Sequence, residues 1–166
     1  HLFIKEGNRF TGIKEIREEV ERFAQIKGQA PIVIVDYLQI LSPSKDRGTD
    51  KQNVDEFVSE LKRISRDCNT TVIGISSFNR SNYNHKASFS SFKESGGLEY
   101  GADILIALEF TDTDVSEFNP QEAKKENPRE LSAVVLKNRN GKVGFNADFY
   151  YYAEHNLFME RADNTA

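Results

Sequence analysis

The strongest constraint on the fold is an apolar run, residues 31–41 (PIVIVDYLQIL), that contains a single acid, Asp36. Four consecutive aliphatic residues, 32–35, predict a strand that is buried on both faces, as in a parallel sheet. An acid at the carboxyl end of such a strand lies at the edge where open α/β sheets bind ligands. The run therefore predicts an α/β fold with a ligand site beside Asp36.

Two amphipathic helices are expected around this strand. Apolar residues at three- and four-residue spacing predict a helix over residues 12–27 and another over residues 53–68. Thr11 is the expected N-cap of the first helix. Asn53 and Glu56 have the spacing of a capping box, so the second helix is expected to begin there.

Further apolar runs predict strands over residues 71–76, 102–110, 131–139 and 142–152. The last two flank Asn140-Gly141, a strong hairpin signal. Polar loops are expected over residues 42–52, 77–95 and 111–129. The second loop is long enough to suggest a functional role. Alternating helices and strands require a mostly parallel sheet with right-handed crossovers, and the final hairpin makes that sheet mixed.

Composition limits the class of protein. The 166 residues, 38% hydrophobic and 29% charged, predict one globular domain. We expect a cytoplasmic protein, since nothing resembles a signal peptide or a membrane span and Cys68 is the only cysteine. A net charge of −4 does not favour a broad basic surface for nucleic acid. Contacts with phosphates would then come from a few local Lys and Arg residues.

Four segments, in this order, resemble the C-terminal motor domain of DnaB-type replicative helicases: IVIVDYLQIL, VIGISSFNR, FKESGGLEYGADILIAL and VLKNRNGKVG. The resemblance covers about residues 2–158, and the variant is similar to helicase-like proteins of phages and mobile elements. It implies a RecA-like three-layer sandwich with a mostly parallel sheet that ends in an antiparallel hairpin. Residues 1–166 would be the C-terminal part of that domain, with its N-terminal half missing.

The resemblance implies an ATP-dependent DNA helicase that uses Mg²⁺ and translocates on single-stranded DNA as a hexameric ring during replication. A primase or a helicase loader would be a further partner. The phosphate loop GxxxxGK[ST] is absent from the sequence, so the chain alone is expected to be unable to hydrolyse ATP. Two alternatives stay open: a non-catalytic ring, DNA-binding or loader-type module, and a RecA-like ATPase of recombination.

Four residues would serve the nucleotide in this family. Asp36 would bind Mg²⁺, whereas in any α/β fold an acid here can simply cap a turn. Ser77 stands where the family usually has a glutamine that senses the γ-phosphate, and the shorter serine could act only through water or a shifted backbone. Lys137 and Arg139 would reach the γ-phosphate of the neighbouring subunit. The alternative is an exposed hairpin rim, where Lys and Arg protect edge strands.

Four further residues match positions that contact single-stranded DNA in the ring channel. Lys93 would neutralise phosphate, Gly96 would let backbone amides approach it, and Glu94 would orient Lys93 or a neighbouring loop. Arg80 would help to set the preceding loop. The alternative is a glycine-rich helix start with ordinary solvated charges. Weaker candidates of the same kind follow the first strand: Lys45, Arg47 and Lys51.

Overall fold

The computed structural model describes residues 2–43, 48–92, 95–111, 113 and 118–161, and only the backbone of Arg80 and Ser95. The chain divides into two compact units: His1–Ser77 with Glu94–Ala102, and Phe78–Lys93 with Asp103–Ala166. We refer to them as the first and the second unit. The assignment of the whole chain to one domain stays a prediction. Within the described ranges, no helix is both long enough and apolar enough to span a membrane.

Within its described residues, the first unit is built from three α-helices and two short strands. Its elements are α1 (Ile13–Lys27), β1 (Val33–Val35), α2 (Asp50–Asp67), β2 (Val72–Gly74) and α3 (Ser95–Gly101). β1 and β2 pair in parallel, with Val33 opposite Val72 and Val35 opposite Gly74. α2 provides the crossover connection that a parallel pair requires. Its apolar face forms most of the buried core of this unit.

The start of α1 differs from the expected one. Its N-cap is Gly12, whose N–H donates to the carboxylate of Glu15 (2.9 Å). The prediction that Thr11 is the N-cap is wrong, because the Thr11 hydroxyl already accepts the N–H of Asn8 in the preceding turn (2.9 Å). Gly28 ends the helix with φ of +76°, a left-handed conformation that glycine adopts without strain.

The second helix begins three residues earlier than expected. Thr49 is its N-cap: the Thr49 hydroxyl accepts the N–H of Gln52 (3.2 Å), and the Gln52 side-chain oxygen accepts the N–H of Thr49 (3.0 Å). The expected start at Asn53 is therefore wrong. The same capping-box pattern is present one turn earlier, and that earlier box is the one that forms.

The first strand is covered on one face only within the first unit. Val35 is buried, whereas Ile32 and Ile34 are 69% and 61% exposed. The prediction that this strand is buried on both faces is therefore wrong for the described residues of this unit. The reason is that α2 packs against β2 and the turn after β1, and no described residue of the unit covers the side chains of Ile32 and Ile34.

The second unit is an antiparallel sheet in the order β3-β4-β5-β6. Its elements are β3 (Ile104–Phe110), α4 (Pro120–Ala123), β4 (Arg129–Asn138), β5 (Asn146–Tyr152) and β6 (Leu157–Glu160). The hairpin is confirmed, since β4 pairs antiparallel with β5. β5 begins at Asn146 and not at Lys142, because Gly144 has φ of +74° and interrupts extended backbone. β6 was not expected.

The described strands therefore form a mixed α/β structure with more antiparallel pairing than expected. β1 and β2 are the parallel pair, and the other four strands pair antiparallel. β3 was expected to extend the parallel sheet, but its hydrogen-bonded neighbour is β4. Antiparallel neighbours can be joined by short loops, whereas each parallel neighbour needs a crossover.

Candidate functional site

Asp36 lies at the carboxyl edge of the parallel pair. It directly follows β1, and its side chain is exposed. Backbone hydrogen bonds continue on both sides of it: Ile75 N–H donates to the Val35 carbonyl and Leu38 N–H donates to the Ile75 carbonyl, both at 2.9 Å. Ser77 follows the same stretch of the second strand. The structure thus places Asp36 and Ser77 at one edge of the sheet in the first unit.

The side chain of Gln39 joins the two strand ends at this edge. Its Nε2 donates to Ser76 Oγ (2.8 Å), and the backbone N–H of Ser77 donates to its Oε1 (3.4 Å). The turn that carries Gln39 is fixed by Leu38, which is fully buried against Gly74. A Cβ at Gly74 would lie 3.2 Å from the Leu38 side chain, so glycine lets this turn approach the strand.

Gln39 is a candidate that the sequence interpretation missed. It lies within the apolar run that predicts the first strand. The available signal was an amide side chain three residues after the acid, within reach of the next strand end. An amide both donates and accepts, so it can bridge a hydroxyl and a backbone N–H at once, as Gln39 does.

The side-chain oxygens at this edge suit a hard cation as ligands. The side chains of Asp36, Ser76 and Ser77 offer oxygen, which is the ligand type that Mg²⁺ prefers. Mg²⁺ is usually bound by one or two carboxylates together with substrate phosphates and water, so a single acid fits this pattern. Within the described ranges, no group of three or more His, Cys, Asp or Glu side chains that could hold a metal ion is found.

The glycines of α3 have different surroundings. A Cβ at Gly97 would lie 2.8 Å from the Cα of Asp55 on α2, so Gly97 permits the close packing of the two helices. A Cβ at Gly96 would lie 3.4 Å from Lys51 Cε and 3.7 Å from Lys51 Nζ, which is ordinary contact. The structure therefore brings together Gly96 and Lys51, two of the residues expected to face DNA.

Several residues that are expected to contact DNA lie outside the part of the chain that the structure describes. Lys93, Glu94, Lys45 and Arg47 lie outside the described residues, and so does the side chain of Arg80. The backbone of Arg80 begins a short 3₁₀ turn, Arg80–Asn82, in the second unit.

The loop that contains this turn is closed at its ends. The rings of Phe78 and Phe92 meet edge to face with 4.9 Å between centroids. The N–H of Asn79 donates to the Ser91 carbonyl (2.8 Å), and its side-chain amide donates to the Phe92 carbonyl (3.4 Å). These contacts hold the two ends of residues 78–92 together, as in a compact surface loop.

Lys137 and Arg139 lie at the end of β4 in the second unit. Lys137 is opposite Leu105, and the register shifts between Leu105 and Ile106, because Ile106 is opposite Val135. Such a bulge bends a strand and redirects the side chains beside it. Arg139 follows the last residue of β4, and its N–H donates to the Asp103 carbonyl (2.9 Å).

Arg139 also forms an ion pair with Asp103. Its Nε lies 3.2 Å from Asp103 Oδ1, and the two side chains are 54% and 44% exposed. Ion pairs this exposed typically contribute about 1 kcal/mol or less to stability. Stability alone is therefore a weak explanation for this pair. Arg139 is a residue predicted from the sequence, whereas Asp103 lies in the segment FKESGGLEYGADILIAL without a predicted role of its own.

Comparisons with known proteins identify the family and the fold of this chain. Residues 1–160 match the family model described as "DnaB-like helicase C terminal domain". The replicative DNA helicase DnaB of Mycobacterium leprae (strain TN) is 32% identical over 170 residues, which cover 99% of this chain. The chain spans only 26% of the length of that relative.

Two solved structures have a similar fold. One is titled "The Structure Of A DnaB-Like Replicative Helicase And Its Interactions With Primase" (TM-score 0.76, 23% identity, 93% of this chain and 36% of that chain). The other is the structure of an ATPase domain (TM-score 0.75, 23% identity, 91% of this chain and 52% of that chain). The RecA-like fold class expected from the sequence is confirmed.

Proposed function

Because this chain belongs to the DnaB-like helicase C-terminal domain family, we propose that it is the C-terminal part of the motor domain of an ATP-dependent replicative DNA helicase. The observation that carries the proposal is the exposed carboxylate of Asp36 at the carboxyl edge of the parallel pair, in a chain that matches the family over residues 1–160. Ligands of α/β proteins bind at this edge. The complete protein would translocate on single-stranded DNA as a hexameric ring.

Asp36 would hold Mg²⁺ beside the phosphates of ATP in the complete protein. The ion, when bound, neutralises charge that develops on the phosphates. Ser77 would act on the nucleotide only through water or a shifted backbone, because its side chain is shorter than the glutamine usual at that position. Gln39 keeps the backbone of Ser77 tied to the turn after Asp36, which supports a shared role for the two strand ends.

Lys137 and Arg139 would complete the nucleotide site of a neighbouring subunit. The guanidinium of an arginine supplied in trans stabilises transition-state charge and can increase the rate by three or more orders of magnitude. The position of Arg139 beyond the end of β4, half exposed, leaves it accessible to another subunit. A ring is therefore needed for activity, since no subunit would carry a complete site.

Lys93, Glu94, Gly96 and Arg80 would contact single-stranded DNA. Support from the described residues is the position of Gly96 beside Lys51, which adds a positive charge to this end of α3. Phosphate neutralisation by a few lysines and arginines gives binding that weakens steeply with salt. A primase or a helicase loader would be a further partner of the ring.

The isolated chain should be unable to turn over ATP, since its sequence lacks the GxxxxGK[ST] loop that cradles the phosphates. The test therefore uses the longer protein in which this chain occurs, with its upstream residues. ATP hydrolysis would be measured with and without single-stranded DNA for the wild type, Asp36→Ala and Arg139→Ala. Arg161→Ala is a matched control, because Arg161 is also ion-paired in the second unit but outside the proposed site.

We expect DNA-stimulated turnover that is lost in Asp36→Ala and Arg139→Ala and retained in Arg161→Ala. No turnover in the wild type, with DNA binding retained, would instead indicate a non-catalytic ring or loader-type module. Turnover without unwinding of a forked duplex would favour a RecA-like ATPase of recombination.

A further inference from the structure

We propose that Asp103 is a positioning residue for Arg139. This inference rests on the proposed function of Arg139 as the arginine that completes a neighbouring nucleotide site. It concerns how that side chain is held when it projects beyond the end of β4. Nothing in the expected mechanism requires an acid beside this arginine, so the Asp103 carboxylate is an additional feature of the second unit.

The backbone already fixes where the two residues lie. Asp103 directly precedes β3 and Arg139 directly follows β4, so they face each other at the open end of this antiparallel pair. The N–H of Arg139 donates to the carbonyl of Asp103 at 2.9 Å. This bond does not involve the Asp103 carboxylate. A change confined to the Asp103 side chain should therefore leave the strand pairing intact.

The side-chain contact restrains the guanidinium in a specific way. Asp103 Oδ1 lies 3.2 Å from Nε, which is the nitrogen nearest the backbone of Arg139. The end of the guanidinium formed by its two terminal nitrogens is not used by this contact. That end is the one suited to a bidentate contact with phosphate oxygens. The carboxylate thus limits the rotation of the side chain through Nε and leaves the two terminal nitrogens to reach a phosphate.

Positioning of this kind lowers the activation barrier of ATP hydrolysis without adding a contact to the substrate. An arginine with free rotamers must be ordered each time it meets the transferring phosphate, whereas a restrained arginine is ordered beforehand. Loss of the restraint should lower the rate of the chemical step more than the binding of ATP. We therefore expect the Asp103 carboxylate to affect kcat and to leave KM for ATP almost unchanged.

The test measures kcat and KM for ATP with single-stranded DNA in the longer protein that includes the upstream phosphate loop. The variants are Asp103→Asn, Asp103→Glu, Arg139→Ala and the double variant Asp103→Asn with Arg139→Ala. Glu130→Gln is the matched control, since it removes an ion pair of similar exposure, with Arg161, near the other end of β4. Thermal unfolding and ring assembly would be measured for each variant.

We expect Asp103→Asn to lower kcat about ten- to a hundredfold with KM within a factor of about two. Asp103→Glu should recover part of that loss, Glu130→Gln should behave as the wild type, and the double variant should be no slower than Arg139→Ala. A double variant slower than Arg139→Ala would overturn the inference, because Asp103 would then act on something other than Arg139. So would an equal loss of kcat and thermal stability in Asp103→Asn and Glu130→Gln.

Two results separate this inference from the proposed function. If Arg139→Ala loses turnover while Asp103→Asn keeps the wild-type kcat, the arginine role stands and the positioning role of Asp103 is wrong. If Arg139→Ala keeps the wild-type kcat, the proposed role of Arg139 is wrong, and the inference fails with it.

Discussion

The two units of this molecule bury different chemistry. Apart from one buried carboxylate oxygen of Asp55, the described interior of the first unit is apolar and comes mainly from one face of α2: Val54, Phe57, Val58, Leu61 and Ile64. The second unit buries Leu105, Ala107 and Leu131 together with the hydroxyl-bearing residues Ser91 and Ser132. Ser132 donates to the Asp148 carboxylate (2.6 Å), so a polar pair lies among the packed strands.

This difference indicates what each unit is sensitive to. An interior made of aliphatic and aromatic side chains depends on complementary volumes, so missing or added methyl groups are costly. An interior with hydrogen-bonded polar groups depends on the partners and on the charge state of the acid. Asp36 and Arg139, the main residues of the proposed site, belong to neither interior. Changes at Asp36 and Arg139 should therefore affect activity more than stability.

The largest expected effect on stability is a cavity in the first unit. Ile64 has no exposed surface, whereas Ile26 on α1 is 63% exposed. Ile64→Ala should lower the free energy of unfolding by about 3 to 4 kcal/mol, and Ile26→Ala should change it by less than about 0.5 kcal/mol. Urea denaturation monitored by circular dichroism would measure both. Similar midpoints for the two variants would contradict the view that α2 carries the core.

The second prediction tests packing that is too tight for one more carbon. A methyl group at Gly97 would meet the backbone of Asp55 at 2.8 Å, whereas a methyl group at Gly96 would make ordinary contact with Lys51 at 3.4 Å. Gly97→Ala should therefore cost about 1 to 3 kcal/mol of unfolding free energy. Gly96→Ala should be neutral or slightly stabilising, because alanine favours the helix.

The measurement is again the urea midpoint, and Gly96→Ala is the internal control. Equal destabilisation by the two substitutions would show that helix geometry alone, and not the contact with α2, makes glycine necessary here. Reduced single-stranded DNA binding by Gly96→Ala in the longer protein, with normal stability, would support the proposed DNA contact at this position.

The sequence was sufficient to predict the two long helices and the first five strands, but not α4 or β6. The helices around Val20 and Phe57, the strand before Asp36 and the β4–β5 hairpin were all expected and are all present. These features are encoded locally, in the spacing of apolar residues and in the Asn-Gly turn signal. The edge that carries Asp36 also follows from local pattern, because an acid that ends an apolar strand lies at a sheet edge.

What the sequence could not predict depends on contacts between distant residues. Gly96 and Gly97 are adjacent and look equivalent in the sequence. Only the approach of α2 shows that Gly96 has room for a larger side chain and that Gly97 has none. The bridge from Gln39 to Ser76 and Ser77 spans 37 and 38 residues. The exposure of Ile32 and Ile34 likewise depends on which elements cover the sheet. No local rule contains this information.

The third prediction concerns the start of α2, where the sequence contains two capping-box patterns, one at Thr49 and one at Asn53. Thr49→Ala removes the hydroxyl that accepts the N–H of Gln52, so it should lower the free energy of unfolding by about 1 kcal/mol. Asn53→Ala tests the start that was expected from the sequence and should cost much less. The comparison is a urea denaturation series with both variants. A larger loss for Asn53→Ala would mean that the helix begins at the later box.

The smallest expected effect belongs to the polar interior of the second unit, and it depends on pH. The hydroxyl of Ser132 holds the pKa of Asp148 below its ordinary value of 3.8, with the Asn146 amide and Arg161 acting in the same direction against partial burial. A lowered pKa stabilises the fold above pH 3.8, and this contribution is lost as the pH falls through the folded-state value.

Ser132→Ala should cost about 1 kcal/mol or less of unfolding free energy at pH 7 and reduce the loss of stability between pH 5 and about pH 2. Thermal unfolding across that pH range measures how steeply stability falls with pH, and Asp148→Asn should flatten this dependence in the same way. A Ser132→Ala variant with the wild-type acid slope would assign the lowered pKa to Asn146 and Arg161 instead of the buried hydroxyl.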